Sequence, residues 1–302
     1  MGFARRSPTL WQLKSRGLAL GERTLVMGVL NITPDSFSGD GLLADQNLAI
    51  ERGLAMLDAG ATILDVGGES TRPGKREALP GEEEIERVLP VILGILQHRP
   101  DAVISIDTYK AETAKAAVAA GAEIVNDVSG FLWDETMAST CAELACGVVL
   151  MHTRGRPEEW SGLPRLDPDD AVVLVKSELG ERLNAALGAG VRAERIVLDP
   201  GIGFGKVYES NYALLTRLGE LRNLGRPLLS GVSRKSFLGQ TLAALRGGVN
   251  APAEERGNAT IAAATASILA GADLVRVHDV GPAVEAAAIA DAVLAASQGP
   301  GP

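Results

Sequence analysis

One short pattern recurs along the chain and limits its fold more than any other feature. An Ala-rich helical segment ends, a glycine follows, a brief apolar run comes next, and a polar residue closes it. The pattern reads DAGATILDVG at 58–67, AAGAEIVNDV at 119–128, ACGVVLMHT at 145–153 and AGADLVRVHDV at 270–280. GAGVRAERIVLDPG at 188–201 is a longer version. Gly60, Gly121, Gly147, Gly190 and Gly271 suit left-handed helix C-caps. Much of the glycine excess, 35 residues in 302, is therefore accounted for by helix stops and turns.

The apolar runs are short and do not alternate with polar residues, as expected of parallel strands covered by helices. Eight are counted, at about 25–30, 62–66, 102–106, 123–126, 147–151, 195–199, 227–231 and 273–277. Helical segments lie between them, among them 47–59, 82–96, 111–120, 212–224 and 283–296. Eight strand-helix units over this length predict an α/β chain folded as a single (β/α)8 TIM barrel. A doubly wound sheet is the weaker alternative, because no Gly-x-Gly-x-x-Gly follows the first strand. No Pro/Ser-rich linker divides the chain, so one domain is expected over residues 25–297. Residues 1–24 are taken as an N-terminal appendage and 298–302 as a C-terminal tail.

Composition narrows the function. The net charge of −9 argues against a nucleic-acid binder, which shows a basic face. An anionic small molecule stays open, since local Arg, Lys and helix N-termini hold one even on an acidic protein. Cys141 and Cys146 read as reduced, partly buried thiols, which fits a cytoplasmic protein. No secretory signal is seen at the N-terminus. No stretch approaches the roughly 20 uninterrupted apolar residues of a membrane span. Three histidines, His98, His152 and His278, are too few and too scattered for a zinc site.

In a barrel of this kind the loops after the strands build the active site. The polar residues at the strand ends are Asn31, Asp65, Asp107, Asn126 with Asp127, His152, Asp199, Ser230 with Ser233, and Arg276 with His278. Singly, each is better read as a cap or a turn. All eight ends being polar points to one rim. Asp107, Asn126 and Asp199 suit a flat heterocycle: a carboxylate accepts two parallel N–H bonds from a 2-aminopyrimidinone edge, and an amide both donates and accepts. Lys235, Arg276 and His278 offer donors to an oxyanion. LDPGIGFGK at 198–206 lacks the spacing of a P-loop. Its glycines, Gly201, Gly203 and Gly205, are read as letting backbone approach a flat ligand. Lys206 is read as a solvated or capping lysine.

The segments GVLNITPDSFS, ILDVGGESTRPG, SIDT, VNDVSG, LMHTRG, LDPGIGFGK, SRKSFLG and VRVHDV, in this order from Leu25 to about Val293, resemble those of dihydropteroate synthases. The resemblance implies the same barrel and a condensation of 6-hydroxymethyl-7,8-dihydropterin pyrophosphate with p-aminobenzoate. The products would be 7,8-dihydropteroate and pyrophosphate. It assigns Asp107, Asn126, Asp199 and Lys235 to the pterin. Arg276 would lie over the pterin face and hold the pyrophosphate with His278 and Asn31. Asn31 is also the implied Mg²⁺ ligand, and magnesium does not need more than one or two protein oxygens when phosphate oxygens and waters supply the rest. Met151 and Phe204 would wall the pocket, Thr71, Arg72 and Pro73 would lie near p-aminobenzoate, and Ser236 would meet its carboxylate. Asp35 is the candidate for stabilising a pterin-methyl cation or taking the amine proton. Asp35, Lys235, Arg276 and His278 thus form the expected catalytic set. Residues 33–41 read as a lid with Phe37 as its apolar face.

The sequence departs from the family at Ser230, where an apolar residue is common, and in a long 245–257 connection. A homodimer through the last helices, 260–272 and 283–296, is implied by the family, with ordinary barrel packing as the alternative. A pterin-dependent methyltransferase and a non-catalytic pterin-binding paralogue are the competing readings. NITPDSFS and the Ser-Arg-Lys-Ser segment count against the first, and intact first and second loops count against the second.

Overall fold

The computed structural model describes residues 3–4, 6–32, 42–69 and 79–297. Two short strands come first, β1 (Thr9–Gln12) and β2 (Gly17–Leu20). The barrel then runs β3 (Leu25–Asn31), α1 (Leu42–Asp58), β4 (Ile63–Gly67), α2 (Gly81–His98), β5 (Ile104–Asp107), α3 (Ala111–Ala119) and β6 (Ile124–Asp127). It continues with α4 (Met137–Leu144), β7 (Gly147–Met151), α5 (Pro168–Gly188), β8 (Ile196–Asp199), α6 (Tyr208–Thr216), β9 (Leu229–Ser230), α7 (Ser236–Ala243), α8 (Gly257–Leu269), β10 (Leu274–Val277) and α9 (Val280–Ser297).

Strands β3 to β10 form one sheet in the order β8-β7-β6-β5-β4-β3-β10-β9, and every pairing is parallel. A parallel bridge between Leu198 and Leu228 joins the two ends. This is the expected (β/α)8 barrel. All eight anticipated strands are present, each within a few residues of its expected place.

The ninth strand is shorter than the 227–231 read from sequence. Pro227 has no N–H to give, and the Leu228 N–H goes to the Asp273 carboxylate at 2.9 Å. The anticipated helix 212–224 divides into α6 and a 3-10 segment, Leu218–Leu224. Arg217, at φ −107° and ψ 16°, leaves the α basin between them. Gly60, Gly121, Gly190 and Gly271 have the positive φ expected of helix stops. Gly147 does not: it is the first residue of β7, and Ala145 takes the left-handed position at φ 51°. Gly147 is small for another reason, since a Cβ there would stand 2.6 Å from Leu13 Cδ2.

Leu13 belongs to the part of the chain that sequence had left outside the barrel. The β1–β2 hairpin and its flanks cross the lower end of the barrel and join its interior. Trp11, Leu13 and Leu20, each 1% exposed, share a buried cluster with Leu25, Met27, Ile63, Val103, Ile124, Val149, Val197, Leu229 and Leu274. The Trp11 indole N–H donates to the Arg195 carbonyl at 2.7 Å. Arg6 is buried as well, bonding Thr24 Oγ1 at 2.6 Å and Asp291 Oδ1 at 2.6 Å on α9. Within the expected appendage, the described residues 6–24 thus contribute side chains to the barrel's core. Helices pack over the outer strand faces in a larger aliphatic and Ala-rich core that includes Leu64, Val66, Ile92, Ile95, Val148 and Leu150.

Trp11→Ala is expected to destabilise the chain by about 3–5 kcal/mol, the range for a buried large-to-small truncation. Urea unfolding followed by far-UV circular dichroism measures it, and an unchanged midpoint would show that the hairpin only rests on the barrel.

Candidate active site

Strand alternation decides which side chains reach the mouth of the barrel. Asp65, on β4, and Asp107, at the end of β5, project inward, as do Asn126 on β6 and Arg276 on β10. They form one hydrogen-bonded group. Arg276 Nε donates to Asp65 Oδ2 at 2.5 Å and Arg276 Nη2 to Asp107 Oδ2 at 2.6 Å. Asn126 Nδ2 donates to the same Asp65 oxygen at 2.9 Å. Asp65 is fully buried, while Arg276 and Asp107 are about one-fifth exposed. Burial lowers the Arg276 pKa, but Asp65 and Asp107 outweigh it and raise it above the ordinary value. Burial pushes Asp107 up to about 7; Arg276 opposes this and Asp65 adds to it.

A second group stands beside the first. Asp199 Oδ1 accepts the Gly201 N–H at 2.7 Å. Lys235 reaches over the Phe204 ring, Nζ 4.4 Å from its centroid, and donates to the Ile202 carbonyl. The two groups meet at Gly231. A Cβ there would lie 3.7 Å from Asp199 Oδ2, 3.9 Å from Lys235 Nζ and 3.9 Å from Arg276 Cβ. Burial holds Lys235 down to about 8, and Asp199 partly offsets that. Burial raises Asp199, with Lys235 and the Gly201 N–H acting against it.

Above these groups a cavity of about 510 Å³ opens, lined among others by Asn31, Asp107, Phe204, Lys235, Ser236, Arg276 and His278. His278 Nδ1 lies 2.9 Å from Ser233 Oγ, which also accepts the His278 N–H at 3.1 Å. Ser236 is the exposed first residue of α7. Asn126, Met151 and Asp199 are buried at their strand ends. Met151 Cγ would touch a Cβ on Gly201 at 3.2 Å. Asp35, Thr71, Arg72 and Pro73, with Phe37, lie outside the described residues.

Not every strand-end residue turns inward. Asp127 bonds the Ser129 and Phe131 N–H groups at 2.7 and 3.0 Å. His152 is fully buried against Glu178 of α5 at 2.9 Å, and Ser230 meets Ser267 of α8 at 2.9 Å. Each neighbours an inward residue, so each must point outward. The buried Ser230 hydroxyl is satisfied by Ser267.

The glycine-rich segment also differs from its sequence reading. Gly201, Gly203 and Gly205 have φ of 61°, 89° and 68°. A Cβ at Gly201 would lie 1.8 Å from the His152 carbonyl oxygen, and one at Gly203 2.9 Å from Lys235 Cδ. At Gly201 and Gly205 the close approach is to the protein itself, while Gly203 also lines the cavity. Lys206 is the cap of this turn and is not solvated. Its Nζ donates to the carbonyls of Gly201 at 2.8 Å, Phe204 at 3.0 Å and His152 at 3.2 Å.

Sequence had placed Asp65 among the strand-end residues without giving it a role. Its signal was an acid inside a buried strand. Glu69, Trp160 and Arg256 also line the cavity, and the sequence reading gave none of them a role, although Glu69 lies in the GGESTRPG motif.

The fold agrees with comparisons to known proteins. Residues 27–278 match the family model for pterin binding enzymes. The chain is 43% identical over 284 residues to the dihydropteroate synthase of Clostridium beijerinckii, covering 94% of this chain and 99% of that one. The chain belongs to the dihydropteroate synthase family. The Xanthomonas albilineans dihydropteroate synthase with 4-aminobenzoic acid superimposes with a TM-score of 0.85 at 39% identity, covering 96% of this chain and 99% of that one. The same synthase in complex with 7,8-dihydropteroate gives 0.78 at 39%, covering 90% and 94%.

A site that needs Asp107 ionised and Lys235 protonated gives kcat/KM a bell in pH. It is expected to fall below about pH 7 as Asp107 gains a proton and above about pH 8 as Lys235 loses one. Asp107→Asn should abolish the acid limb in steady-state profiles. An acid limb that survives this change would assign it to another group.

Proposed function

We propose that Asp199, Lys235, Asn126 and Asp107 hold a 7,8-dihydropterin at the barrel mouth, and that Arg276 and His278 hold the pyrophosphate attached to its methylene. The chain then acts as a dihydropteroate synthase, coupling that methylene to the amine of p-aminobenzoate in folate biosynthesis. The observation that carries the residue assignment is the meeting of Asp199, Lys235 and Arg276 around Gly231. It places a carboxylate able to accept paired N–H groups beside two cations at one rigid rim.

The pterin CH₂–O bond breaks first, and its electron pair leaves with the pyrophosphate. Arg276 and the donors near His278 stabilise that charge where it develops. Electron density from the dihydropterin ring supports the resulting cation. The amine nitrogen of p-aminobenzoate, a weak nucleophile, then forms the C–N bond. Asp35 takes the proton released or stabilises the cation before it. Phe204, with Lys235 across its face, walls the aromatic substrate, and Ser236 at the start of α7 meets its carboxylate, where the helix N-terminus adds favourable potential. Thr71, Arg72 and Pro73 complete that end.

Magnesium fits the donor set. Among the described residues there is no cluster of three or more acidic, His or Cys ligands. Asn31 lines the cavity, and its amide oxygen is an oxygen donor of the kind Mg²⁺ takes when phosphate oxygens and waters fill its other positions. Bound there, the ion would neutralise the leaving pyrophosphate. A homodimer is supported by α9, which buries Val280, Ala283, Ala287, Ala290 and Leu294 but leaves Ile289 67% and Val293 38% exposed. α9 is long and apolar enough to cross a membrane by length and composition. It packs on α8 and β3 as the last helix of the barrel. The free, fully buried Cys141 and Cys146 accord with a reducing cytoplasm.

The test is pyrophosphate release from 6-hydroxymethyl-7,8-dihydropterin pyrophosphate with p-aminobenzoate, with and without Mg²⁺. Release matched by dihydropteroate formation is expected; release without consumption of p-aminobenzoate sinks the reading. In the same assay Asp35→Ala should lower kcat by about 10²–10⁴-fold, the usual contribution of a positioned acid-base group, with pterin affinity by calorimetry nearly kept. Equal losses in both would remove Asp35 from the chemistry. Ile289→Glu should shift the sedimentation coefficient from dimer to monomer. A species unaffected by it would move the interface elsewhere.

A further inference from the structure

Arg234 is one of three non-glycine residues with positive φ among the described residues, at 57°. A Cβ makes this left-handed state unfavourable, so it persists only where the surroundings impose it. Here both polar groups of its backbone are held from the beginning of α8. The Arg234 N–H donates to Thr260 Oγ1 at 2.9 Å, and its carbonyl accepts from Arg256 Nη1 at 2.7 Å. Thr260 is fully buried.

Arg256 reaches that carbonyl by a fixed route. Its Nε donates to the Ala251 carbonyl at 2.8 Å. Its guanidinium passes over Gly239 of α7, where a Cβ would stand 2.6 Å from Nε and 2.9 Å from Nη2. The Arg234 side chain is tied separately to Asp279 at 2.6 Å, next to His278. The residues that follow Arg234 are Lys235, whose ammonium lies over Phe204, and Ser236, which opens α7. Rotating the Arg234 peptide out of the left-handed state would redirect both.

We infer that Arg256 is a positioning residue: with Thr260 Oγ1 it clamps the Arg234 peptide in the left-handed state, and so aims Lys235 and Ser236 into the cavity. The long 245–257 connection delivers this guanidinium. The inference rests on the reading that Lys235 and Ser236 serve the two substrates.

Two measurements test it. In the first, Arg256→Met lowers kcat/KM for p-aminobenzoate by about 10- to 100-fold, the scale of a small misplacement of binding groups. The same change made in an Arg234→Gly background causes a clearly smaller loss, because glycine adopts positive φ without a clamp. An equal loss in both backgrounds overturns the proposal and assigns Arg256 a direct contact with substrate. In the second, hydrogen exchange of segment 232–238 is followed by mass spectrometry in Arg256→Met and, as the milder variant should that one fail to fold, in Thr260→Val. Faster exchange confined to this segment supports the clamp; unchanged protection there overturns it. The exchange readout needs no turnover. If the unaltered chain makes no dihydropteroate, the functional reading fails while the clamp is still judged.

Discussion

Everything at the mouth of this barrel depends on the closed parallel ladder and its two-residue side-chain period. Each strand is held on both edges, with the Leu198–Leu228 bridge joining the last pair. A strand fixed in register cannot shift by one residue without exchanging its inner and outer faces. Asn126 therefore faces Asp65 while its neighbour Asp127 turns to Ser129 and Phe131. His152 is committed to Glu178 in the same way. The site is a consequence of the register.

Within that frame, electrostatics does the rest. The chain is acidic overall, with a net charge of −9, yet its mouth gathers Arg234, Lys235, Arg256 and Arg276. Arg276 is held by two carboxylates on neighbouring strands, and Lys235 stands near Asp199. Burial makes each of these charges costly alone; the two carboxylates outweigh that cost at Arg276, and Asp199 offsets part of it at Lys235. The same balance brings Asp107 and Lys235 toward neutral pH, from below and from above. Lys206 supports the set from behind by collecting three carbonyls of the β7 and β8 loops.

Much of this was legible in the sequence. The repeated helix–glycine–apolar unit marked five of the eight strands and short apolar runs marked the other three, because helix stops and short apolar runs are local signals. Asn31, Asp107, Phe204, Lys235, Ser236, Arg276 and His278 do line one cavity. The errors have a common cause. Gly147 was read as a helix stop, but its small size serves Leu13, more than a hundred residues away. The first 24 residues carried no barrel pattern, yet Trp11 fills the barrel's lower end. Gly201 was assigned to a ligand and instead makes room for the His152 carbonyl. In each case the deciding partner is distant in the chain.

The sequence by itself determined the class of fold, the count of strand-helix units and the chemistry available at the strand ends. Local propensity and periodicity suffice for these, because each is set within about ten residues. Only the tertiary structure decided which polar residues face the cavity and which turn away. It also decided that Asp65 joins Arg276 to Asn126, and that Arg256 reaches across from the 245–257 connection to hold the Arg234 carbonyl. Those outcomes depend on strand register and on the distance between side chains from opposite ends of the chain. Neither is written in any local stretch of residues.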